Sequence, residues 1–303
     1  MTAKELTPPL YWKMTDLALK EAKDGMDHRA QEEIEAVEQG VDLKATHGQA
    51  IRDFVQLDDF IQAGFDFLRR IKHRVNGEAV DVGSGTGVGA GILSRFDFIS
   101  KVYAVEFSEQ FVLSIMPVVF GSIEADNSKI QRVVGDFNNL QIPDASQACV
   151  LDIDSFHHAE DLDFTLRECA RVLKTGGVIV SIDRAWDDHY TRAQLEAKLD
   201  VELNDNLKKK YGIPEGQSFT RRDFGEHEYT VREWLDLFAK NGFEAMAFSQ
   251  WHPPFLNRIW LRLPMQKIMM FINAILYKFG KRRFGIYGFG TTRRLFVCIK
   301  RNG

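Results

Sequence analysis

The stretch that most constrains this chain is Asp81-Val-Gly83-Ser-Gly85-Thr-Gly87-Val-Gly89, whose first two residues end the strand-like run at 79–82. Glycine at every second position breaks a strand and a helix alike, so the chain turns here and presents bare backbone that a ligand can approach closely. A strand that enters a glycine turn and leaves as a helix, here around 91–95, is the opening unit of an α/β fold. The pattern repeats downstream. Short apolar runs at 101–106, 130–134, 148–153 and 178–183 read as strands, and amphipathic segments separate them. The clearest of these is 159–173, where Leu162, Leu166, Ala170 and Leu173 share one face. Strands alternating with helices predict a parallel, doubly wound sheet. After a helix at 231–240, residues 243–248 and 294–299 read as two closing strands.

Ahead of this region, residues 10–45 read as helix broken at Gly25 and Gly40, and a second helix is expected from about 50 to 74, with Phe54, Leu57, Ile61, Phe65 and Leu68 near a 3–4 spacing. The expected organisation is a helical N-terminal cap over 1–74 and one α/β domain over 75–303. Two long segments, 185–230 and 250–292, interrupt the alternation. Segments of that length in a compact fold are usually lids or binding elements.

Of the 303 residues, 45% are hydrophobic, enough for a full core and against disorder. Cys149, Cys169 and Cys298 have no CxxC spacing, which argues against a disulfide framework or a structural zinc, and each reads as a small core residue. No uncharged run is long enough for a membrane span. The first residues, MTAKELTPP, carry charge and prolines where a signal peptide is apolar, so a soluble, cytoplasmic protein is expected. The net charge of −4 hides an asymmetry. Residues 251–303 hold 11 Lys and Arg and no Asp or Glu, leaving 28 basic against 43 acidic residues over 1–250.

Glu106 ends the second strand, 19 residues after Gly87. A carboxylate there can accept hydrogen bonds from both hydroxyls of an adenosine ribose, so loop and acid together mark a nucleoside-cofactor site. Two cofactor classes compete. Gly85-x-Gly87-x-x-Ala90 satisfies a dinucleotide fingerprint. The frame in register with the end of the strand, however, is Gly83-x-Gly85-x-Gly87.

Five motifs in order decide the matter. AlaValAspValGlySerGlyThrGly (79–87), ValTyrAlaValGluPheSer (102–108), GlyAspPheAsnAsnLeuGlnIleProAsp (135–144), LeuAspIleAspSerPheHisHis (151–158) and ArgValLeuLysThrGlyGly (171–177) resemble the motif series of the class I S-adenosylmethionine-dependent methyltransferases, especially the small-molecule, ubiquinone- and menaquinone-type group. The resemblance implies a Rossmann-like, doubly wound, seven-stranded sheet and S-adenosylmethionine as cofactor. It implies that Gly83, Ser84, Gly85 and Gly87 line the cofactor, that Glu106, followed by Phe107, holds the ribose, and that Asp136 with the Phe137 amide meets the adenine. Asp152 to Asp154 would flank the methionine part. Asp81 would brace the loop or reach the cofactor amine through water. A non-catalytic cofactor-binding scaffold, and use of the cofactor for cyclisation or aminocarboxypropyl transfer, remain alternatives.

The expected reaction is methyl transfer to a small or amphipathic acceptor, lipid-like or anionic among the options, at O or N. Such an acceptor loses a proton, and three histidines are candidate bases. His157 and His158 follow strand four at the carboxyl edge of the sheet. With side chains ~100° apart on a helix start, the two are expected to diverge. His227 enters the helix at 231–240 from the first insertion. Asp187, Asp188 and His189 read as a surface loop, and no metal is expected. Residues 251–292 mix aromatics with Lys and Arg, and 265–279 fit an amphipathic helix after Pro264. Three readings stand: packing on the protein itself or a second copy, contact with a membrane surface or lipid substrate, and nucleic-acid binding, which the acidic body disfavours. Lys281, Arg282 and Arg283 could equally grip a substrate phosphate or carboxylate.

Overall fold

In the computed structural model, residues 6–21, 48–248, 250–251, 287–288 and 293–301 are described. The chain runs β1 (Leu10–Tyr11), α1 (Asp16–Glu21), α2 (Gly48–Arg70), β2 (Gly77–Val82), α3 (Val88–Ser94), β3 (Ile99–Glu106), a π-helical turn (Phe111–Ile115) continuing into α4 (Met116–Ser122), and β4 (Ile130–Val134). It continues through β5 (Gln147–Ile153), a 3-10 turn (Phe156–His158), α5 (Leu162–Val172), β6 (Leu173–Arg184), α6 (Arg192–Leu199), α7 (Asp205–Lys210), α8 (Val231–Lys240) and β7 (Phe243–Phe248). The two-residue strands β8 (Gln250–Trp251) and β9 (Tyr287–Gly288) pair with each other, and β10 (Arg293–Lys300) closes the chain.

Among the described residues, eight strands form one sheet in the order β1-β4-β3-β2-β5-β6-β10-β7. All pairs are parallel except those of β10, which runs antiparallel to both β6 and β7. The order reverses at β2, so the carboxyl ends of β2, β3 and β5 open a crevice there, the position where ligands of doubly wound sheets collect. Apolar side chains cover both faces of the sheet. On one side Phe60, Ile61 and Leu68 of α2 and Ile92 and Leu93 of α3 join the core. On the other, Leu162, Leu166 and Cys169 of α5 pack with Trp234 and Phe238 of α8. Burial on both faces is why residues 148–151 of β5 read as a continuous apolar run rather than an alternation. All three cysteines are buried, and burial pushes each thiol up from its ordinary pKa.

Helix starts follow their local signals. Thr230 and Glu233 form a capping box at α8, Thr191 and Gln194 another at α6, and Asp161 caps α5 by accepting from Phe164 N–H.

One expectation is corrected at the amino end. Residues 10–15 are not helical: Leu10 and Tyr11 add an eighth, edge strand beside β4, and helix begins only at Asp16. Both strand residues are exposed, so no alternation marks them; the pairing exists only because β4 presents a free edge. A second correction concerns the start of the helix expected at 159. A 3-10 turn over 156–158 precedes α5, which begins at Leu162. Residues 22–47 lie outside the described residues. So does nearly all of the basic aromatic segment, including 265–279 and 281–283. Among the described residues no helix is long and apolar enough to cross a membrane.

Candidate cofactor and acceptor site

The glycine turn is built by its own carboxylate. Asp81, at the buried end of β2, accepts from Ser84 Oγ at 2.6 Å and from Ala90 N–H at 2.7 Å, tying the turn to the first residues of α3. Burial pushes Asp81 up to about 7, opposed by these two donors. Gly83, Gly85 and Gly87 all adopt positive φ, at 60°, 50° and 85°. Their reasons differ. A Cβ on Gly83 would lie 2.5 Å from Ser155 Oγ, and one on Gly87 would lie 2.7 Å from the Phe120 ring. A Cβ on Gly85 would meet nothing within 4 Å. Two glycines therefore serve packing, and the middle one faces open space.

Glu106 lies beside that space. Its Oε2 accepts from Gly85 N–H at 2.8 Å and its Oε1 from Ser108 N–H at 3.0 Å, so two backbone donors fix the plane of a buried carboxylate. An acceptor-only group pinned next to a bare glycine suits the paired hydroxyls of a ribose, and the residues present fit the nucleoside. Ser84 spends its hydroxyl on Asp81, and Phe107 is half-buried beyond Glu106. Asp136 is buried after β4, accepting from Asn138 N–H at 2.8 Å on one oxygen and from Thr15 Oγ at 2.7 Å on the other. Phe137 is buried, its ring close to the Gly83 position, which brings the expected adenine-side segment against the glycine turn.

The two strand-end aspartates separate. Asp152 is fully buried and its oxygens are engaged within the fold, by Ser155 N–H at 3.1 Å, Phe156 N–H at 2.9 Å and Ser181 Oγ at 2.5 Å. It braces the turn after β5. Burial, then the nearby Asp183, raises its pKa well above the ordinary carboxylate value. Asp154 sits at the crevice with φ 50° and pairs with Arg293 at the start of β10, Nε to Oδ1 being 3.1 Å. Burial raises it too, and Arg293 opposes the rise.

The loop that carries the histidine pair is packed directly on the glycine turn, Ser155 Oγ donating to Gly83 O at 2.9 Å. The two imidazoles do not diverge as expected. On the 3-10 turn their ring centroids are 4.2 Å apart. His157 is buried and held from both sides: Nδ1 meets Asp183 Oδ1 at 2.6 Å, and Arg184 Nη2 meets Nε2 at 2.7 Å. A guanidinium only donates, so Nε2 accepts and the ring proton is on Nδ1, given to Asp183. His158 lies half-buried against Phe224, ring centroids 5.4 Å apart. Burial drives its pKa well below the ordinary histidine value, with His157 and Arg184 adding to the fall. His227 is joined to the pair through the backbone, its N–H donating to His157 O at 2.7 Å and its Nδ1–H to the same oxygen at 3.3 Å.

The 185–230 insertion thus folds back over the strand ends. Arg184 pairs with Glu226 at 2.8 Å, Arg221 with Glu226 at 2.5 Å and with buried Glu228, and Trp186 Nε1 donates to Glu228 at 2.6 Å. His157, His158 and Glu226 bring ligand-type atoms within 4.8 Å of one another. Arg184 bonds both His157 and Glu226. A cleft of about 170 Å³ lies beside His227, lined by Arg192, Glu196, Arg222, Glu226 and Tyr229 among others. Asp187 and Asp188 are used on the surface, by Arg294 and by Arg232 N–H, and His189 stacks near Tyr190.

Asp183, Arg184 and Thr15 escaped the sequence reading. Asp183 ends an apolar strand at the carboxyl edge, a visible signal, whereas nothing near Thr15 in sequence points to Asp136.

Residues 80–181 match the family described as a methyltransferase domain. A sterol 24-C-methyltransferase of Gibberella zeae is 30% identical over 144 residues, 46% of this chain and 37% of that protein. One from Aspergillus fumigatus is 27% identical over 176 residues, 54% of this chain and 44% of that protein. The chain thus spans about two fifths of the length of these relatives. The solved YcgJ protein of Bacillus subtilis aligns over 80% of this chain and 99% of its own, with TM-score 0.49 and 16% identity. Residues 80–181 thus carry a methyltransferase domain, set on the central strands of a doubly wound sheet.

Proposed function

We propose that this protein transfers a methyl group from S-adenosylmethionine to a small or amphipathic, lipid-like acceptor. The observation that carries the reading is the Gly85–Glu106 bond beside open space, with the histidine loop packed on the same glycine turn. When bound, S-adenosylmethionine supplies a methyl activated on a sulfonium. The chain's task is alignment and exclusion of water. Glu106 and the Gly85 backbone hold the nucleoside, and Asp136 orients its base.

The proton lost by an O–H or N–H acceptor needs a base. His157 is engaged at both ring nitrogens, whereas His227 donates Nδ1–H to a backbone carbonyl and keeps Nε2 as an acceptor. His158, kept neutral by its surroundings, is the base in this reading. His158→Gln is expected to lower kcat by roughly 10²–10⁴ while leaving the Kd for S-adenosylhomocysteine within about twofold. Because burial depresses the His158 pKa, the basic form persists as pH falls through 6.5. The kcat/KM of the unaltered enzyme should therefore stay level there and decline only at clearly lower pH. A limb centred at or above 6.5 would assign the base elsewhere.

Support for an amphipathic acceptor comes from the aromatic and basic content of 251–292 and from the sterol 24-C-methyltransferase names of the relatives. Those names also favour a second reading, transfer to carbon. Incubation with methyl-labelled cofactor and separate pools of polar amines and phenols, and of sterol- and prenyl-type lipids in micelles, distinguishes the acceptors. Label partitioning into the organic phase is expected. Label only in the polar products would reject the lipid-like acceptor.

A further inference from the structure

We propose that Thr15 is a positioning residue of the cofactor site, acting through Asp136, so that the segment 6–18 is part of the binding machinery. The inference rests on the reading of Asp136 as the adenine contact. The segment is laid along the β4 edge by bonds of its own backbone. Trp12 N–H donates to Val134 O at 2.8 Å, Pro8 O accepts from Gln131 at 2.8 Å, and Lys13 O accepts from Asn139 at 2.8 Å. Trp12 is buried against Gly135, where a Cβ would approach its side chain to 3.1 Å. These contacts deliver Thr15 to Asp136, more than a hundred residues away in sequence.

The hydroxyl of Thr15 has one proton, and the geometry directs it. Oγ accepts from Ala18 N–H at 3.2 Å, the first turn of α1, and donates to Asp136 Oδ2 at 2.7 Å. Asn138 N–H holds Oδ1 at 2.8 Å. Thr15 N–H also reaches Oδ2, at 3.4 Å, so the carboxylate plane is held from both ends, and Oδ1 retains a lone pair for an exocyclic amine. Remove the Thr15 hydroxyl and only the long backbone bond holds Oδ2, so the carboxylate regains a torsional freedom that binding must then suppress. The same bond joins the docking of 6–18 to the state of the site.

The test is a double-mutant cycle on the full chain, reading the Kd for S-adenosylhomocysteine by calorimetry, with thermal unfolding to confirm folded variants. Thr15→Val should weaken binding about tenfold, as loss of a hydrogen bond to a charged group implies. Thr15→Ser, which keeps both bonds, should stay within about twofold of the unaltered protein. Asp136→Ala should weaken binding at least as much as Thr15→Val, and adding Thr15→Val to it should change nothing further. Unaltered affinity in Thr15→Val with a weakened Asp136→Ala would overturn the Thr15 role alone. Additive losses would show that Thr15 acts elsewhere. Unaltered affinity in Asp136→Ala would remove the adenine assignment and the proposal with it.

Discussion

Gly85→Val is expected to abolish measurable binding of S-adenosylhomocysteine while leaving the protein folded. The backbone at Gly85 has φ 50°, a conformation that costs a β-branched residue about 1–3 kcal/mol. No neighbour within 4 Å of its Cβ position would be pushed aside. The added side chain would instead fill the space beside Glu106 and tilt the N–H that holds that carboxylate at 2.8 Å. An affinity loss of at least about a hundredfold, or roughly 3 kcal/mol, follows. Gly83→Val is the informative companion. Its Cβ would strike Ser155, so that variant should lose stability as well as affinity. Calorimetry and denaturant unfolding on the pair separate the two effects. Retained affinity in Gly85→Val would mean that the nucleoside lies elsewhere.

Asp183→Ala should be the most damaging single change among the polar residues. Asp183 is fully buried and accepts from His157 Nδ1–H, His157 N–H and Arg184 N–H. Its loss leaves these donors without their acceptor and frees Arg184 from a defined partner geometry, while relieving the repulsion on Asp152. The first effect is the larger, and a loss of about 3–5 kcal/mol is expected in urea unfolding. Asp183→Asn, which keeps an accepting oxygen, should lose clearly less. A change below about 1 kcal/mol for the alanine variant would show that the histidine loop is held by its packing alone.

The contrast between these residues explains what a reading of the chain could reach. The strands at the centre of the sheet, the glycine turn and Glu106 are local signals: apolar runs, a backbone that only glycine adopts readily, an acid at a strand end. Helix α8 was legible as well, expected over 231–240 and observed over Val231–Lys240. What was not legible depends on partners distant in sequence. Leu10 and Tyr11 form a strand only because β4 ends the sheet beside them. Asp152 and Asp154 are alike in sequence, yet one is enclosed by Ser181 and Ser155 and the other faces Arg293 across 139 positions. The histidines were expected to splay because a helix start was assumed; a 3-10 turn brings the rings together. Arg184, in sequence a strand-end cation, holds His157 in one tautomer.

Under the proposed function, the chain moves a methyl group and leaves the rest of the cofactor intact. Its most direct test is the nucleoside product formed during turnover with an accepted lipid-like or polar substrate, separated by chromatography. S-adenosylhomocysteine is expected in equal amount to methylated acceptor, with neither formed by Gly85→Val. Methylthioadenosine in its place would identify a different bond as the one broken. Cofactor binding with no nucleoside product across the acceptor pools would make the protein a binding scaffold and not a transferase.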